Sequence, residues 1–82
     1  MRYLLVEDNQ ELADSVVNRL MLDGHAVDHA ATLAQARDCL AAASYDLILL
    51  DVMLPDGDGR SFLQSSRAHL ETPVIVLTAR AN

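Results

Sequence analysis

The chain has no lysine and no tryptophan, a single cysteine at position 39, two prolines and three glycines in 82 residues. Each scarcity excludes something. One cysteine cannot close an internal disulfide, which suits a reducing compartment. No apolar run approaches the ~18 residues needed to span a bilayer. The start lacks the basic and apolar regions of a signal peptide, so a cytoplasmic protein that does not engage membranes is expected. All six basic residues are arginines, set against twelve Asp and Glu, giving a net charge of -6 and a pI near 4.6. That balance lacks the basic footprint of a nucleic-acid binder. Aromatics make up 4% of the chain and hydrophobic residues 51%, so the core must be built from Leu, Val, Ile and Ala, an α/β composition. A chain this short allows one domain, burying somewhat above ~60% of its unfolded surface.

What is present is an alternation of short apolar runs and amphipathic stretches. Tyr3-Leu4-Leu5-Val6 runs into Glu7-Asp8, the pattern of a strand buried on both faces of a parallel sheet. Asn9 is placed to cap a helix in which Leu12, Val16 and Leu20, with Ala13, Val17 and Met21, form an apolar stripe. Gly24 stands where such a helix ends. His25 to Ala30 reads as a second strand chiefly because an element is needed between two helices. Thr32 and Gln35 have capping-box spacing, and Leu33, Ala36, Leu40 and Ala43 make the stripe of a second helix. Leu47 to Leu50 is a third strand. Pro55-Asp56-Gly57-Asp58-Gly59 is turn chemistry, after which Phe62, Leu63 and Ser66 face inward on a third helix that Thr72-Pro73 breaks. Val74-Ile75-Val76-Leu77 is the fourth strand, ending at Thr78. The order βαβαβαβ predicts a parallel sheet with right-handed crossovers and helices on both faces. Strand C-termini then share one edge, where ligands bind.

Glu7 and Asp8 end the first strand, Asp51 the third and Thr78 the fourth. If the first and third strands are neighbours, ~4.8 Å apart, the carboxylates converge. Like charges so close require a shared proton or a neutralising cation. Oxygen donors without His or Cys favour Mg²⁺ or Mn²⁺ over zinc, and Mg²⁺ characteristically leaves positions for water and a phosphate. An aspartate held against such a cation, with a hydroxyl opposite, can act as the nucleophile of phosphoryl transfer and become an acyl phosphate. Asp51 is the candidate. The plainer readings are that Asp51 caps a turn and that Thr78 bonds its own loop. Asp56 and Asp58 read as turn and cap residues. His25 and His29, four residues apart along a strand, are ~13 Å from one another, too far to share an ion, and are expected to be solvated. His69 faces terminal helix carbonyls, Cys39 is a small core residue and Arg80 lies at the surface.

At these positions the chain resembles the receiver domain of two-component response regulators. The resemblance rests on Glu7-Asp8, on Leu49-Leu50-Asp51-Val52-Met53-Leu54-Pro55, on Asp58-Gly59 opening the third helix, and on Leu77-Thr78-Ala79-Arg80-Ala81. Together these are specific, and they cover the chain from Met1 to Asn82. The wording at Leu54-Pro55 and Thr78-Ala79-Arg80-Ala81 is most similar to the subfamily that carries a winged-helix DNA-binding domain. The resemblance implies a flavodoxin-like doubly wound sheet of order 2-1-3-4 with three helices. It implies that Asp51 accepts a phosphoryl group from a sensor histidine kinase. Asp8 and Asp51 would bind Mg²⁺, with Glu7 binding directly or through water and the Met53 backbone carbonyl adding a ligand. The Thr78 hydroxyl and Ala79 N–H would hydrogen-bond the phosphoryl group.

The family also uses a lysine at the end of its final strand, which this sequence lacks. The expectation is therefore a partial receiver, residues 1–82, without the family's last helix, strand and helix and without an output domain. Phosphorylation should be slow. The fourth strand should be an exposed edge that recruits a second copy, as a dimer or swapped oligomer. Such a chain would catalyse at most its own phosphorylation. The competing classes are a Mg²⁺-dependent phosphohydrolase with an aspartate nucleophile, a nucleotide-binding module and an inactive assembly fragment. The first places a second aspartate two residues after the nucleophile, where this chain has Met53. The second wants a Gly-rich loop after the first strand, and Glu7-Asp8-Asn9-Gln10 contains no glycine.

Overall fold

A computed structural model describes residues 1–51, 53–66 and 71–77. The first apolar run forms β1 (Arg2–Val6), with Leu4, Leu5 and Val6 at 0% exposure. Leu4 and Val6 join one core cluster, and Leu5, which the strand's alternation turns to the other face, lies outside it. Asn9 caps α1 (Gln10–Leu22), its Oδ1 accepting the Leu12 N–H at 3.1 Å. Gly24, at φ 89°, takes the left-handed conformation that lets the chain leave α1 for β2 (Ala26–Ala30). Thr32 caps α2 (Leu33–Ala42), accepting the Gln35 N–H at 3.1 Å, while Gln35 Oε1 reaches back to the Ala31 N–H at 2.7 Å. The capping box therefore closes one residue earlier than its simplest form.

Four strands pair in parallel in the order β2-β1-β3-β6, with β3 spanning Leu47–Asp51 and β6 spanning Val74–Leu77. This is the doubly wound order expected from the sequence, with β6 as its fourth strand. Register aligns Val6 with Ala30 on one side and with Leu50 on the other, and Asp51 with Leu77, so these strand ends lie level. The segment read as a plain turn instead contains a small antiparallel hairpin, β4 (Met53–Leu54) and β5 (Gly57–Asp58), leading directly into α3 (Gly59–Ser66). Gly57 sits at φ 153°, and a Cβ there would meet Leu33 Cδ1 at 2.9 Å. The hairpin can rest on the first residue of α2 because that position carries no side chain.

The core cluster contains Leu4, Val6, Ala30, Leu33, Ala36, Tyr45, Ile48, Leu50 and Phe62, with Cys39, Leu40 and Ala43 packed against it. The α2 stripe and the inward Phe62 follow the sequence pattern, and each buried Leu, Ile or Phe stabilises by about 1.5–3 kcal/mol. The stripe on α1 is only partly covered: Ala13 is fully buried, but Leu12 and Met21 remain 40% and 58% exposed. Ile75 and Val76 on β6, the last strand of the sheet among the described residues, are likewise 51% and 37% exposed. Among the described residues, no helix is long and apolar enough to cross a membrane.

Candidate functional site

The parallel sheet collects the chemistry at the C-terminal ends of β1 and β3. Asp51 is the last residue of β3 and is 0% exposed. Glu7 follows β1 directly, its N–H still donating to Ala30 O at 3.0 Å, and it is 1% exposed. Asp8 comes next and is exposed. One carboxylate oxygen from each of Glu7, Asp8 and Asp51 lies within 4.8 Å of the others. The juxtaposition read from the strand ends is therefore present.

The Glu7 carboxylate is held from one side. The Asn9 N–H donates to Glu7 Oε2 at 3.0 Å, so the residue that caps α1 also fixes the Glu7 carboxylate. Glu7 Oε1 is buried and has no hydrogen-bond donor among the described residues. Burial pushes the Glu7 carboxyl above the usual carboxylate range, repulsion from Asp51 adds to this, and the Asn9 N–H opposes it. An oxygen-only cluster containing an unsatisfied buried oxygen suits a hard divalent cation.

The histidines depart from expectation. Both are half-buried rather than solvated. His25 stacks on Tyr3 with ring centroids 4.8 Å apart, and His29 Nε2 lies 2.7 Å from the Glu7 carbonyl oxygen. Asp56 does cap, as expected, but it caps a distant element. Its two oxygens accept the Leu33 N–H at 2.8 Å and the Ala34 N–H at 3.0 Å, which ties the hairpin after Asp51 to the start of α2. Those donors hold its carboxyl below the usual range. Neither contact has a local sequence signal, because the partners are more than twenty residues apart. Met53 opens β4 opposite Asp58. Thr78 and Ala79, the expected phosphoryl partners, lie outside the described residues, as do His69 and Arg80.

A second polar group lies near the sheet's other edge. The buried Tyr45 hydroxyl donates to Asp28 Oδ2 at 2.6 Å, and Arg2 pairs with the same oxygen at 2.8 Å. The Tyr45 hydroxyl, and secondarily Arg2, hold the Asp28 carboxyl low, while burial raises the Tyr45 phenol. It is a structural clasp between β1, β2 and the segment before β3.

The family model described as "Response regulator receiver domain" matches residues 3–82. The transcriptional regulatory protein HprR of Escherichia coli (strain K12) is 43% identical over 83 residues, covering 98% of this chain and 36% of its own length. DltR of Streptococcus agalactiae, also a transcriptional regulatory protein, is 42% identical over 82 residues, with 99% and 37% covered. Among solved structures, the receiver domain of HemR from Leptospira biflexa superposes with a TM-score of 0.87 at 34% identity, over 99% of this chain and 66% of that one. The chain thus spans little more than a third of these regulators and about two thirds of a receiver structure. With an acidic cluster at the expected strand ends and a family match along nearly its whole length, the chain belongs to the response regulator receiver domain family.

Proposed function

We propose that Asp51 is the phosphoacceptor of a two-component phosphorelay, taking a phosphoryl group from the phosphohistidine of a sensor histidine kinase. The observation that carries this reading is the clustering of Glu7, Asp8 and Asp51 carboxylate oxygens within 4.8 Å at the C-terminal edge of the sheet. An Asp51 oxygen attacks phosphorus in line, the phosphorus–nitrogen bond breaks, and the imidazole leaves with its electron pair. Mg²⁺, or Mn²⁺ in its place, held by Glu7, Asp8, Asp51 and the Met53 carbonyl, would neutralise the carboxylates and bring phosphoryl oxygens close to Asp51. The Thr78 hydroxyl and Ala79 N–H are assigned to hydrogen-bond the phosphoryl group. The new dianion then shifts a surface between two arrangements, which is signalling rather than turnover. Any catalysis is limited to its own phosphorylation.

On this reading residues 1–82 are part of one cytoplasmic receiver unit, which in the parent protein controls a DNA-binding output domain. The relatives HprR and DltR are transcriptional regulatory proteins, which supports that assignment. For the 82-residue chain alone, the exposed Ile75 and Val76 on β6 support self-association through that edge, as a dimer or swapped oligomer. A monomer peak in light scattering at micromolar concentration would refute the association.

The decisive test of the phosphoacceptor role uses beryllofluoride, a mimic of an aspartyl phosphate. A response regulator similar to this chain, MaeR, at 33% identity, TM-score 0.89 and covering 100% of this chain and 70% of that one, is described as bound to beryllium trifluoride. With Mg²⁺ and beryllofluoride, NMR should show an adduct at Asp51 that Asp51→Asn abolishes. Mg²⁺ binding without attachment would reduce the reading to a metal site.

A further inference from the structure

We infer that His29 is a positioning residue for the acidic site, its Nε2–H holding the Glu7 carbonyl and with it the peptide from which Glu7 and Asp8 extend. The inference rests on the metal-binding part of the function proposed above. In a parallel ladder the strand's N–H and C=O groups on one side bond successive residues of the neighbour. The Glu7 N–H follows this rule, donating to Ala30 O at 3.0 Å. The Glu7 carbonyl would next accept from the stretch after Ala30, but there the chain turns into α2. Four amides of that stretch are engaged elsewhere: Ala31 with Gln35 Oε1, Leu33 and Ala34 with Asp56, and Gln35 with Thr32 Oγ1. The imidazole of His29, a residue of β2 paired in register with Leu5, reaches this carbonyl, with Nε2 2.7 Å from the Glu7 oxygen.

A carbonyl can only accept, so Nε2 carries the proton in this contact. The carbonyl of a buried residue with no donor would otherwise be costly. Glu7 is consequently pinned twice, at its main chain by His29 and at its carboxylate by Asn9, on either side of the bond that leads to Asp8. His29 touches no carboxylate oxygen in any contact seen here, and it acts through the position of the ligand residues. Partners of this kind typically change metal affinity by 10–100-fold when removed, because the ligands lose their preset orientation.

The test compares the 82-residue protein with His29→Gln, which keeps an N–H donor, and His29→Leu, which does not. Mg²⁺ alone is titrated while NMR follows the amides of Asp8 and Asp51. Circular dichroism well below the melting temperature verifies that each variant is folded. The leucine variant should bind Mg²⁺ about 10-fold more weakly than the parent, and the glutamine variant should recover most of that loss. In the metal-free parent, long-range ¹⁵N spectra should place a proton on His29 Nε2. Equal Mg²⁺ affinity in parent and leucine variant overturns the inference and leaves the phosphoacceptor reading standing. So does a loss that glutamine fails to recover, or a ring protonated at Nδ1 alone. A parent that binds no Mg²⁺ overturns the metal site and His29's role with it.

Discussion

Replacing Glu7 with glutamine should make the metal-free protein more stable at neutral pH and remove most of its response to Mg²⁺. The variant keeps the shape of the side chain and an oxygen for the Asn9 N–H, which sits 3.0 Å from Glu7 Oε2. What it deletes is charge. Oxygens of Glu7, Asp8 and Asp51 lie within 4.8 Å of one another, and at that distance two unit charges repel by ~3.5 kcal/mol at an effective dielectric constant near 20, or ~0.9 kcal/mol in bulk water. Glu7 and Asp51 are buried and Asp8 is exposed, so the relief lies between these limits, about 1–3 kcal/mol. In a chain of this size each kcal/mol moves the melting temperature by roughly 4–8 °C. The pH dependence has a definite sign. Because burial holds the Glu7 carboxyl above its ordinary value of 4.5, the folded protein keeps a proton that the unfolded chain has released. The parent therefore loses stability as pH rises from 4.5 through the raised value, and the gap between variant and parent opens in the same window. Urea unfolding in EDTA across this range measures it. Added Mg²⁺ should close most or all of that gap, since a ligand at about 100 times its Kd stabilises the parent by ~2.7 kcal/mol and the variant by less. A variant less stable than the parent in EDTA at neutral pH, or one stabilised equally by Mg²⁺, would refute the reasoning.

Leu50→Ala empties a position that is 1% exposed within the core cluster, and it should cost about 2–5 kcal/mol in urea unfolding. Asp56→Ala should speed hydrogen exchange of the Leu33 and Ala34 amides and lower stability. That effect should be present above the ordinary aspartate value of 3.8 and vanish as pH falls through Asp56's depressed value. Tyr45→Phe removes the donor that lies 2.6 Å from Asp28 and should destabilise by about 1.5–3 kcal/mol without altering Mg²⁺ affinity, because that clasp is not part of the acidic cluster.

The sheet was legible because its interior strands are continuous apolar runs that stop at the residues of interest. Tyr3 to Val6 stops at Glu7, and Leu47 to Leu50 stops at Asp51; parallel pairing then brings the two ends together. The helix starts were legible because Asn9 and Thr32 act on amides three residues away. Three features left no such trace. Hairpin β4–β5 has two residues per strand, too few to show a period. Asp56 looks like an ordinary turn aspartate until α2 is in place above it. His29 lies in the weakest of the four strand patterns, and its function-bearing contact is with a main-chain oxygen, which no side-chain pattern reports.

The arrangement of the acids also favours the phosphoacceptor reading proposed for Asp51 over the plainer view that it caps a turn. Asp56 shows what capping looks like in this chain: an exposed carboxylate with two short amide donors and a depressed carboxyl. Glu7 shows the opposite, with burial at 1% exposure, one oxygen without a donor and a raised carboxyl. Asp51 is buried with it at 0% exposure. Grouping two buried acids beside a third works against folding in a small domain whose total stability is on the order of 4–12 kcal/mol. A turn cap needs neither the burial nor the neighbours. A site built to receive a cation and a phosphoryl group needs both, because the same repulsion that weakens the metal-free protein is relieved when positive charge arrives. On the proposed reading, the cost in the metal-free protein and the affinity for a cation arise from a single cause, and Glu7→Gln should diminish them together.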